Sequence, residues 1–72
     1  MNSLTIPQAL QLAHAHRQAG RDQEAADIYA AILQSHPRDP AALFWLAELS
    51  LKHDQFERSI DLFRQAIEVN PN

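Results

Sequence analysis

Apolar residues recur along this chain at three- and four-residue spacing in four successive stretches, the signature of helices that bury one face. The first stretch starts near Ile6, where Thr5 and Gln8 have the spacing of a capping box and Pro7 falls in a first turn whose backbone donors are free. Its stripe runs through Leu12, Ala13 and His16 to Ala19, and Gly20 supplies a stop. The second stretch opens at Asp22, read as an N-cap, and carries Ala25, Ala26, Ile28, Tyr29, Ile32 and Leu33 before His36-Pro37 breaks it. Asp39-Pro40 opens the third, which runs to about His53 with no glycine to end it. Asp54 and Glu57 have capping-box spacing ahead of the fourth. That last stretch holds Ile60, Leu62, Phe63, Ala66, Ile67 and Val69 and ends at Asn70-Pro71. Period-two alternation is missing, so the expected class is all-α. Connections of two to four residues force neighbouring helices antiparallel.

The four helices fall into two copies of one pattern. Ala9, Leu12, Ala13, His16, Ala25, Tyr29 and Pro37 recur 34 residues later as Leu43, Leu46, Ala47, Ser50, Ser59, Phe63 and Pro71. This period, with its Leu–small pair, its small–aromatic pair and its closing proline, resembles the tetratricopeptide repeat. Ala9 and Leu43 depart from the family's early Trp, and His16 and Ser50 from its Tyr late in the first helix. The resemblance implies one domain over 1–72, with a repeat at about 6–39 and another at about 40–72. Its expected architecture is an α-solenoid of two tandem helix-turn-helix units. A looser resemblance links Leu10 to Leu33 to the opening repeats of long bacterial tetratricopeptide proteins, some of which continue into a glycosyltransferase domain. That raises the expectation that these residues belong to something larger.

The resemblance further implies a function in holding other proteins and no enzymatic activity. Its groove is lined by the first helix of each repeat. By matching position the groove candidates are Leu10, His14, Arg17 and Gln18 on the first helix and Phe44, Trp45, Glu48 and Lys52 on the third. Phe44 and Trp45 would supply apolar complementarity and the polar members selectivity. The alternative is that Phe44 and Trp45 only pack against a neighbouring repeat or subunit. One subgroup of the family grips a C-terminal carboxylate with Lys and Asn, but Leu10, His14 and Trp45 stand at the matching places. The glycosyltransferase relatives use a ladder of asparagines, and Gln11 and Trp45 interrupt that row here.

Two repeats are fewer than the roughly three a solenoid usually needs. The third helix carries Leu43, Phe44, Trp45, Leu46, Leu49 and Leu51 around more than one side, which one hairpin is not expected to bury. A homo-oligomer is therefore expected, with Phe44, Trp45, Leu51, Phe63 and Ile67 as candidate contacts.

Composition narrows the chemistry. The 72 residues contain no cysteine, which removes disulfides, thiolate metal sites and a thiol nucleophile. Net charge is −3 and the six basic residues are scattered, unlike the basic stripe of a nucleic-acid binder. Neither a secretory leader nor a membrane-length apolar run is present, so no membrane partner is expected and the expected location is cytoplasmic. His14 and His16 lie two apart and face different ways on a helix, and His36 and His53 have no neighbouring ligand, so no metal is expected. Carboxylates gather on the second and fourth helices, where Asp61, Arg64 and Glu68 pair at helical spacing as on a solvated face. The single glycine excludes a Gly-rich phosphate cradle, and no nucleotide cofactor is expected.

Overall fold

The structure is a computed structural model that describes residues 4–70; Pro71, expected to close the second repeat, lies outside them. The described residues form four helices and no strand: α1 Ile6–Gln18, α2 Asp22–Ser35, α3 Pro40–Lys52 and α4 Phe56–Val69. Helices α1 and α2 pair as one hairpin and α3 and α4 as another, and α3 also packs on α2.

Capping sets the start of each first helix. The Thr5 hydroxyl accepts from Gln8 N at 3.2 Å and the Gln8 side chain accepts from Thr5 N at 2.9 Å, the expected reciprocal box. Asp39 caps α3 by accepting from Ala42 N at 2.9 Å. The second helices start differently. Asp22 is the first residue of α2 and not its cap; Arg21 stands at the cap and makes no side-chain cap bond. Its carboxylate turns instead to the end of α3. Asp54 and Glu57 likewise form no capping box, because Gln55 precedes α4 and Asp54 belongs to the stop of α3.

That stop answers the question left by the missing glycine. Gly20 has φ 81° and Asp54, 34 residues on, has φ 64°. Aspartate is among the few side chains that tolerate this left-handed region. Both turns close the same way: Arg21 N donates to His16 O and Gln55 N to Ser50 O, each at 2.8 Å. Gly20 N donates to Arg17 O and Asp54 N to Leu51 O, completing two Schellman motifs.

Small residues let the helices close. Ala13, Ala25 and Ala47 are fully buried and Ser59 nearly so, while Tyr29 fills the core of the first hairpin and Phe63 is half-buried in the second. The Ser50 hydroxyl, also buried, donates to Leu46 O within its own helix at 2.9 Å. The chain buries α3 more fully than its pattern suggested. Leu43, Leu46 and Leu49 all enter the core because α2 and α4 flank the helix on two sides. Phe44 and Leu51 remain exposed.

Candidate binding surface

Helices α1 and α3 lie close enough for their side chains to interlock. His14 meets Trp45 edge-on with ring centroids 5.0 Å apart, and the Arg17 guanidinium sits 4.5 Å from the Trp45 ring centroid. Such a cation–π contact is worth about 0.5–1 kcal/mol where solvent reaches it. Trp45 then meets Phe44 at 4.9 Å, and Phe44 meets Phe63 on α4 at 5.7 Å, both edge-to-face. These are the offsets favoured by the ring quadrupoles. The result is one aromatic row across α1, α3 and α4. Phe44 keeps 39% of its surface exposed, and beside it a shallow groove of about 590 Å³ runs between Pro40, Phe44, Phe63 and Ile67.

The row is anchored from below. The Tyr29 hydroxyl and His14 Nδ1 lie 2.8 Å apart. Burial, and then the charge of Arg17, hold the His14 pKa below its ordinary value. The shift favours the neutral imidazole, and in the tautomer that carries its proton on Nε2 the Nδ1 atom accepts from the Tyr29 hydroxyl. Burial pushes the Tyr29 phenol up, so it stays protonated.

A polar contact joins the two repeats on another side. Asp22 Oδ2 lies 2.9 Å from Lys52 Nζ and 2.8 Å from His53 Nε2. The Lys52 hydrogen bond, followed by that of His53, holds the Asp22 pKa below the usual carboxylate range.

The expected groove residues therefore separate. His14, Arg17 and Trp45 come together, with Phe44 adjoining them. Leu10 is half-buried and packs against the core, as Trp45 does. Glu48 is half-buried on α3 and Gln18 is exposed at the end of α1. The Lys52 ammonium is drawn to Asp22 and away from the aromatic row. Of the expected self-association residues, Phe44, Leu51 and Ile67 are exposed, while Trp45 and Phe63 are half-buried and pack against the core. The Tyr29–His14 bond and the Asp22 contact were not expected. Each joins residues far apart in sequence, 15 apart for the first and 31 for the Asp22–His53 pair. Their only prior trace was an acid opening α2 and a Lys-His pair closing α3.

Among the described residues no three His, Asp or Glu side chains gather as metal ligands, and no helix is long and apolar enough to cross a membrane. A family model described as tetratricopeptide repeat matches residues 10–72. No curated protein and no solved structure matches the chain.

Proposed function

Since the chain belongs to the tetratricopeptide repeat family, whose repeats generally mediate protein–protein interaction, we propose that it presents the face of α1 and α3 as a groove to a partner peptide. The observation that carries this reading is the aromatic row from His14 through Trp45 and Phe44 to Phe63. Aromatic and Arg side chains give large contact area and directional donors at low ordering cost, which is why they dominate binding hot spots. Here each ring is held by its neighbour, so little rotamer freedom remains to be lost on docking. An apolar segment of the partner fills the groove between Phe44, Phe63 and Ile67. Glu48, half-buried beside the row, selects for a cationic or donor group on the partner.

The test uses peptides selected from a random library against the intact chain. Trp45→Ala is expected to weaken the selected peptides by about 2 kcal/mol or more. A change of only a few tenths would remove Trp45 from the binding surface. Lys52→Ala should leave affinity near its starting value, because that ammonium belongs to Asp22.

A further inference from the structure

The chain makes one junction between repeats internally, where α2 packs on α3, and it displays both halves of that junction a second time on its surface. The half carried by α4 repeats α2, and the half carried by α1 repeats α3, each 34 residues away. Leu46 on α3 is 3% exposed beneath α2, whereas its counterpart Leu12 on α1 is 44% exposed. On α4, Ile60 is 58% exposed and lines a shallow apolar trough of about 400 Å³ with Phe63 and Ile67.

The two displayed halves complement each other in ways the internal junction does not require. Internally, Ala26 on α2 shares a cleft with Leu46 and Leu49 on α3. Their counterparts are Ile60, Leu12 and Ala15, so the large and small members change sides while total volume is kept. The internal cleft also holds Gln23 and Gln55, both neutral, and their counterparts are Glu57 and Arg21, of opposite charge. Glu24 takes the place of Arg58, and Arg21 Nε donates to His16 Nδ1 at 2.8 Å within its own copy. Internally Asp22 pairs with Lys52 and His53, and the counterparts are Phe56, itself exposed, with Gln18 and Ala19, so an ionic contact is replaced by one without charge.

We propose that α4 of one copy docks on α1 of a second copy in the register of the internal α2–α3 junction. The occupant of the open α4 face is thus another molecule of this chain. The contact is heterologous, joining different faces, so it does not close after two copies but propagates head to tail. It uses Leu12, Ile60, Phe56, Glu57 and Arg21, and its α4 trough shares only Phe63 and Ile67 with the peptide groove, so Leu12→Glu and Arg21→Glu test it without altering the surface of the peptide-binding reading.

Light scattering across a wide concentration range tests it on wild-type chain, Leu12→Glu and Ile60→Glu. Wild type is expected to grow in mass continuously with concentration. Each variant should remain monomeric, and an equimolar mixture of the two should form a heterodimer, because each retains one intact face. Monomeric wild type at millimolar concentration would overturn the proposal. So would a Leu12→Glu variant that still dimerises, which would mean a symmetric α4–α4 contact, or a mixture that stays monomeric. Circular dichroism confirms that each variant is folded. Should either fail to fold, the charge pair carries the test. Arg21→Glu or Glu57→Arg alone should weaken association several-fold, and the double exchange should restore it. Failure of the double exchange to restore would count against the register.

Discussion

Leu43 is buried at the start of α3, while at the same place in the first repeat Ala9 borders an open groove of about 410 Å³ between Leu4, Ile6, Ile28 and Ile32. The second repeat has a large side chain where the first has a methyl group. The Leu12–Leu46 pair shows a different contrast: an identical residue in an identical local pattern is exposed in one repeat and buried in the other. The first difference is written in the residue itself. The second depends on the neighbour, because α2 and α4 flank α3, whereas α1 packs on α2 and meets α3 through His14 and Arg17, on a side that does not cover Leu12. Together they make the second repeat the better-packed half of the chain. The first repeat compensates through Tyr29, fully buried and bonded to His14, where Phe63 has no hydroxyl.

The largest expected effect breaks the better-filled half. Leu43→Ala should cost about 2–5 kcal/mol in urea denaturation, the range for a buried Leu truncated in a close-packed core. The reciprocal change, Ala9→Leu, should stabilise by about 1 kcal/mol because it fills space already present. A loss on Ala9→Leu would mean that the groove does not admit a Leu side chain. Next in size, Tyr29→Phe should cost about 1 kcal/mol by removing a buried hydrogen bond. Phe63→Tyr should be near neutral, since Phe63 is only half-buried.

The two helix stops give a smaller, cleaner comparison. A Cβ at Gly20 meets no atom within 4 Å, so Gly20→Ala tests backbone strain alone and should cost about 1 kcal/mol. Asp54→Gly relieves the same strain and should stabilise by roughly half that amount. Thermal melting of the two variants checks the opposite signs.

Proton linkage gives the finest test. His14 has a lowered pKa in the folded chain, so the unfolded chain binds its proton first as pH falls. Stability should therefore rise with pH through the interval just below 6.5 and level off above it. Asp22 is also lowered, so its contribution is complete above 3.8 and is lost as pH falls through its folded value. Asp22→Asn should flatten the acid limb alone, as read from denaturation midpoints against pH.

Helix number, pairing and the two-repeat division were legible in the sequence because each rests on local spacing and on punctuation by Pro37, Asp39-Pro40 and Gly20. The roles of Asp22 and Asp54 were not. An Asp before a helix is most simply a cap, and only the third dimension brings Lys52 and His53 to Asp22 or shows Asp54 at φ 64°. For the binding surface, spacing placed His14, Arg17, Phe44 and Trp45 on the first helices, but the row they form with Phe63 depends on how α1, α3 and α4 meet. Burial of Leu43, Leu46 and Leu49 within one chain was hidden for a related reason: a helical pattern states which sides are apolar, and tertiary packing decides how many are covered.

The central functional claim is that partners dock on the aromatic row. Amide and tryptophan indole chemical shifts, followed while a library-selected peptide is titrated into the intact chain, test it most directly. Perturbations are expected to centre on His14, Arg17, Phe44 and the indole of Trp45. Shifts confined to Phe56, Ile60 and the outer side of α4, with Phe44 and the Trp45 indole unmoved, would contradict it.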